Sequence, residues 1–315
     1  MSFASAEKAR MTDLWSSQYR PGDLLPSGFQ LRSPSLNLLD LARDPAVRYF
    51  RENAITWHIH ANHALSSQVA CLNFLIPLAT RPALLRDCLA AALGEAPDEM
   101  VAVDTGPDGQ DLFVGFEWPG RRDYLNECGG RAPQRGANAT NADAIVRVRR
   151  GSLTKTILIE WKYTESYTQA TQRWAAGNRT RLARYADLVF APNGPVRAEC
   201  GLAPEAFFHE PVYQLLRQQM LAYGMQRHRE DGADRVRVLH VSPAQNTALH
   251  RMTAPGLPEG DVFEVFARLL ERPEDFTTVT TDRMFAPLAR AAEIDTLTGE
   301  WRSQLTRRYP FAFDG

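Results

Sequence analysis

The stretch ADAIVRVRRGSLTKTILIEWKY, residues Ala142–Tyr163, decides how this sequence is read. Two runs rich in β-branched residues, Ala142 to Arg149 and Thr154 to Tyr163, flank Gly151-Ser152, a pattern that predicts a β-hairpin. Side chains alternate across a strand, so Glu160 and Lys162 point to one face and Ile159 and Trp161 to the other. With a two-residue turn, cross-strand partners have numbers summing to 303, which sets Asp143 opposite Glu160. A four-residue turn raises the sum to 305 and sets Asp143 opposite Lys162 instead. In both registers the three share a face, while Ala144, Val146 and Val148 join Ile157, Ile159 and Trp161 on an apolar reverse face for helices to cover. A sum of 304 would place Asp143 among those apolar residues, so the hydrophobic pattern rejects it.

Two carboxylates held about 5 Å apart at a sheet end repel each other unless a proton or cation intervenes. Oxygen ligands favour a hard divalent ion, Mg²⁺ with Mn²⁺ as substitute, which keeps several waters and leaves positions for phosphate oxygens. Lys162 alongside supplies a positive charge that orients or helps deprotonate a water and offsets charge on a pentacovalent phosphate. The expected chemistry is metal-dependent phosphodiester hydrolysis.

Working outward, helices are expected from Asp44-Pro45 through Arg51, from about Ala64 to Ile76, over Leu84–Leu93 with Gly94 as stop, and from about Pro211 to His228. Val262 to Leu270 and Asp282 to Arg307 complete the helices. Strands are expected at Leu112–Trp118 and Arg235–Val241. The fold class is α/β (α+β), with a central mixed sheet flanked by helices. No repeat or dominant linker appears, so the chain reads as one elaborated domain. It comprises a helical extension over about 1–60, a core over about 61–245 and a second helical extension over about 246–315.

At 315 residues, 44% hydrophobic and 23% charged, the chain has the apolar mass for a substantial core, which excludes disorder. No apolar run reaches the roughly 18 residues of a membrane span, and Met1–Arg20 has no apolar signal region. The 4 cysteines are scattered with no CxxC pair, which fits a reducing cytoplasm and no zinc site. Asn138-Ala139-Thr140 and Asn178-Arg179-Thr180 match the glycosylation pattern but are read as coincidence without an export signal. GxSxG, GxxxxGK[ST] and GxGxxG are all absent, which removes the usual signals of serine hydrolases, phosphate loops and dinucleotide cofactors.

Asp143 followed by Glu160-Trp161-Lys162 at the end of the next hydrophobic strand resembles the core of the PD-(D/E)xK nucleases. The phrases SSQVACLN (Ser66–Asn73), DYLNE (Asp123–Glu127) and YQLLRQ (Tyr213–Gln218) resemble a restriction-endonuclease-like group within that superfamily. Together these features span roughly Trp57 to Ser242. The resemblance implies that Asp143 and Glu160 bind the metal, that Lys162 assists the attacking water, and that a helix on either side packs on the sheet. It also implies an Mg²⁺-dependent DNA endonuclease leaving a 5′-phosphate and a 3′-hydroxyl. Ala142 replaces the proline that often precedes the first acid, and Gln68 stands where many relatives carry a glutamate. Glu127 is therefore the candidate third metal ligand, with Glu117 next.

His58, His60 and His63 suit no standard zinc spacing and are read as packing or nucleic-acid contacts. Ser66 or Ser67 is expected to cap its helix, which lets Gln68 face the sheet end. Gln214 and Arg217 share a helix face, where Arg217 could hold a phosphate. The net charge of -1 argues against a nucleic-acid partner, but Arg121–Arg184 holds 13 Lys and Arg against 5 Asp and Glu, or +8, and the remainder 23 against 32, or -9. Arg147, Arg149, Arg150 and Lys155 at the hairpin, then Arg173, Arg179, Arg181 and Arg184, are the expected phosphate contacts. DNA is the expected partner, with RNA and a homodimer left open and no membrane. The alternative is a non-catalytic nucleic-acid-binding or complex-assembly module that kept the nuclease fold.

Overall fold

A computed structural model describes residues 1–137, 139–167 and 178–313, with the side chains of 178 and 179 not described. The helices are α1 (Phe3–Gln18), α2 (Asp40–Glu52), α3 (Ser67–Leu75), α4 (Pro82–Leu93), α5 (Asn178–Val189), α6 (Val212–Arg227), α7 (Val262–Leu269), α8 (Thr281–Phe285), α9 (Leu288–Ile294) and α10 (Thr296–Arg308). The strands are β1 (Glu99–Val101), β2 (Asp104–Thr105), β3 (Asp111–Leu112), β4 (Val114–Trp118), β5 (Ala142–Arg150), β6 (Leu153–Trp161), β7 (Arg235–Ser242) and β8 (Phe276–Thr280).

The hairpin β5–β6 forms the middle of a mixed six-stranded sheet. Its pairs, from Ala144↔Ile159 to Arg150↔Leu153, all sum to 303, so the two-residue turn is the one used. Gly151 sits at φ +58, a left-handed conformation that glycine adopts without steric cost. On one side β1 and β4 both pair antiparallel with β5, lying end to end along it. On the other side β7 runs parallel to β6, and β8 runs parallel to β7. β2 and β3 form a separate small hairpin.

Both faces of the sheet are covered. Ala144, Val146, Val148, Ile157, Ile159 and Trp161 share one buried core with residues of α2, α3, α4, α8 and α10, as the strand alternation requires. Ile145 and Leu158, of the opposite parity, belong to a second core with α5, α6 and α7. This restriction-endonuclease-like architecture, a central mixed sheet flanked by helices, is the expected fold class.

Several local expectations shift. Asp44-Pro45 does not open a helix: α2 begins at Asp40 and carries Pro45 inside it. Asp282–Arg307 is three helices, broken at Pro287 and Asp295. β1 and β8 were not anticipated, and β8 carries the sheet beyond residue 245. Ser66 caps α3, its hydroxyl accepting from the Val69 amide at 3.3 Å. Among the described residues no helix is long and apolar enough to cross a membrane.

Candidate active site

A cleft of about 770 Å³ opens at the sheet end where β5 begins and β6 finishes. Its lining comes from the segment before α3, the loop entering β5, the ends of β5 and β6, and one face of α6. The carboxyl end of a strand beside a parallel neighbour is a common place for a ligand in such sheets.

Carried one residue beyond its last pair, Ala144↔Ile159, the register sets Asp143 level with Glu160, and both line this cleft with Lys162. The Trp161 amide donates to Asp143 Oδ2 at 2.7 Å. Lys162 Nζ donates to Glu160 Oε1 at 2.6 Å, and Gln218 Nε2 donates to the other oxygen, Oε2, at 2.7 Å. Glu160 and Lys162 are both buried. The Lys162 amide continues the ladder to the Val241 carbonyl at 2.9 Å, so the residue after the strand is still held by β7.

Glu117 enters the site by breaking a strand rule. Its φ of +50 lies in the left-handed region, rarely used by a side chain of this size. The alternation of β4 fails there: Phe116 is buried in the first core and Trp118 in the second. The distortion leaves Glu117 level with Asp143 in the β4–β5 register, where its Oε1 accepts from Gln68 Nε2 at 2.6 Å. Gln68 Oε1 in turn accepts from the His58 amide at 2.9 Å. Such backbone strain concentrates at functional sites.

Burial pushes the Asp143 carboxyl well above the usual carboxylate range, reinforced by the charges of Glu160 and Glu117 and opposed by Lys162 and the Trp161 amide. Glu117 is also raised, by burial and by Glu160, against the Gln68 bond. Burial alone would lower Lys162, but Glu160, Tyr167, Glu165 and Asp143 outweigh it and hold the ammonium protonated. The site is a cluster of acids short of positive charge, with one fixed ammonium.

The structure brings Asp143, Glu160, Lys162, Gln68, Gln214 and Arg217 together along the one cleft. Gln214 Oε1 accepts from the Tyr167 hydroxyl at 2.9 Å, and Arg217 Nε donates to Thr140 Oγ1 at 2.9 Å. It does not bring Glu127 there. That carboxylate accepts from the Thr140 amide at 2.5 Å, the Thr140 hydroxyl at 3.0 Å, the Tyr185 hydroxyl and Arg217, and is absent from the cleft lining. It braces the loop entering β5, and Glu117, the next candidate, lines the cleft instead. Among the described residues no group of three His, Cys, Asp or Glu side chains stands ready as a metal cage, so Asp143 and Glu160 are the pair that could hold an ion.

The hairpin cations are also misplaced. Arg149, Arg150 and Lys155 lie five to seven residues along the strands from the acids, about 17–23 Å away, at the turn end. Arg149 pairs with Glu99, and Arg150 and Lys155 with Glu95. Arg147 is buried and pairs with Asp231 at 2.7 Å. Arg181 lies 5.6 Å over the ring of Tyr213 rather than in the cleft. Arg173 and the side chain of Arg179 lie outside the described residues.

The family described as Restriction Endonuclease associating with ARP matches residues 15–310, nearly the whole chain. The chain belongs to this family. Comparison with curated proteins and with solved structures returns no match. For this restriction-endonuclease relative, the residues that sequence reasoning missed are Gln218, Glu165 and Tyr167. Glu165 accepts from the Ser67 hydroxyl and from the Tyr163 amide at 2.7 Å. Gln218 was detectable: it stands four residues after Gln214, on the same helix face.

Proposed function

We propose that this restriction-endonuclease family member is a PD-(D/E)xK nuclease hydrolysing DNA phosphodiester bonds with Mg²⁺. The observation that carries the reading is the meeting of Asp143, Glu160 and Lys162 in one open cleft at the end of the hairpin, with Lys162 Nζ 2.6 Å from Glu160.

The donor set fits a hard divalent ion: two carboxylates with hard oxygens, one of them raised by burial and by its acidic neighbours and so in need of positive charge. Asp143 and Glu160 would hold the ion, and its remaining positions are suited to water and phosphate oxygens. When bound it supplies Lewis acidity and a more acidic water. Lys162, fixed as an ammonium, orients the attacking water and offsets negative charge on the phosphate. Gln218 holds the Glu160 carboxylate from behind. Arg217 presents its guanidinium to a phosphate entering along α6. In the reaction a water oxygen bonds to phosphorus, the bond from phosphorus to the 3′ oxygen breaks, and that oxygen takes up a proton.

Cleavage of plasmid and single-stranded DNA with Mg²⁺ or Mn²⁺ tests this. Cleavage that EDTA abolishes and Asp143→Ala removes supports it; none with either metal on any substrate refutes it. Among the described residues no three acid, His or Cys side chains are grouped as a ready metal cage, which favours a second reading, a non-catalytic nucleic-acid-binding module, whose signature is salt-sensitive, metal-independent binding without turnover. On the family's description alone we also propose a protein partner, ARP, to be sought by co-purification.

A further inference from the structure

The turn between α2 and α3 carries a feature that the hydrolytic chemistry does not use. Ile59 is 79% exposed, an aliphatic side chain left in water at the lip of the cleft. His58 and His60 on either side are also exposed and line the same cleft, their rings 5.4 Å apart. An exposed isoleucine is ordinary on a protein surface; one flanked in sequence by two exposed imidazoles that meet edge to face, at the lip of the proposed hydrolytic site, is an arrangement for nucleobases.

The turn is fixed in place. The Ala61 amide donates to the His58 carbonyl at 2.8 Å and the His63 amide to the His60 carbonyl at 2.9 Å. Behind it, Trp57 stacks on Phe50 at 4.2 Å. The His58 amide is anchored to Gln68, which also holds Glu117, so the turn is tied by two hydrogen bonds to the acid cluster. An apolar side chain on a rigid support is what separating stacked bases requires, since a flexible one would fold away.

We propose that the His58–Ile59–His60 turn is a base-contacting wedge, with Ile59 packing on the face of an unstacked base beside the scissile phosphate and the two imidazoles as flanking platforms. The substrate is then DNA whose bases are parted at the cleaved step: a single strand, or a duplex opened there by Ile59. This rests on the nuclease reading and extends it to the form of DNA accepted.

The test uses the full chain carrying Asp143→Asn, which stops turnover and removes one charge that repels phosphate. The probes are a mixed-sequence 20-mer duplex and its single strand, each with 2-aminopurine at successive positions. Anisotropy reads affinity, and 2-aminopurine emission reads unstacking. The proposal expects emission in the bound duplex to rise at one or two adjacent positions. Adding Ile59→Ala should remove that rise and weaken binding about tenfold, with Ile59→Phe restoring both. DNA bound with unchanged emission and affinity in Ile59→Ala overturns the wedge and leaves the nuclease reading standing. No DNA binding by any version overturns both.

Discussion

Replacing Asp143 by Asn should stabilise the metal-free protein and abolish its response to Mg²⁺. Two carboxylates about 5 Å apart repel by about 3 kcal/mol at an effective dielectric near 20. Lys162, 2.6 Å from Glu160, returns part of this. An asparagine oxygen can still accept from the Trp161 amide. The net gain expected at pH 8 is about 1–2 kcal/mol, a melting-temperature rise of about 1.5–3 °C for a chain of 315 residues. The sign follows from the raised carboxyl of Asp143: the stability it contributes is complete below the ordinary carboxylate range and is lost as pH rises through its raised value. The advantage of the variant therefore grows from acid to alkaline pH and vanishes at low pH. Mg²⁺ at about a hundred times its Kd adds about 2.7 kcal/mol to the wild type and nothing to the variant, so the order of stabilities inverts. Differential scanning calorimetry at pH 5 and 8, with EDTA or Mg²⁺, reads all of this. A variant less stable than wild type in EDTA at pH 8, or equal Mg²⁺ shifts in both proteins, would refute the reasoning.

Gln218→Ala frees the Glu160 carboxylate and is expected to lower turnover and metal affinity about 10–100-fold, seen in single-turnover cleavage and metal titration. Glu127→Gln should cost about 1–3 kcal/mol in urea denaturation, because it weakens the brace on Thr140 and Tyr185, yet leave the metal concentration for half-maximal cleavage unchanged. Arg147→Ala removes a buried guanidinium and one of the two partners of Asp231, which keeps Arg121, and is expected to cost about 1–3 kcal/mol of stability with no loss of DNA affinity measured by anisotropy. Arg217→Ala should weaken DNA binding and lower its salt slope by about one.

The hairpin and its acids were legible because parity holds along the body of both strands, from Ala144 and Ile159 to the turn: one register clusters Asp143 with Glu160 and the next would bury a carboxylate among isoleucines. Composition was a poorer guide than geometry. Arg149, Arg150 and Lys155 sit beside Asp143 and Glu160 in sequence but at the far end of an antiparallel hairpin, a consequence the strand length already implied. Their partners Glu95 and Glu99, and Asp231 for Arg147, come from distant segments that one sequence cannot pair. Glu117 lost out to Glu127 as the third acid because a left-handed backbone at a glutamate leaves no pattern in composition or spacing. β8 was missed for a different reason: FTTVT is short, Thr-rich and half-exposed at a sheet edge, without the apolar run that marked the inner strands. The break at Pro287, by contrast, was readable from the missing amide of proline.

Under the proposed function Asp143, Glu160 and Lys162 act as one hydrolytic centre. Single-turnover cleavage of end-labelled DNA in Mg²⁺ tests it most directly, comparing wild type with Asp143→Ala, Glu160→Ala and Lys162→Ala, each verified as folded and DNA-binding. Metal-dependent cleavage by wild type is expected, with a loss of at least about a hundredfold in every variant. Cleavage at the wild-type rate by any of the three would contradict it.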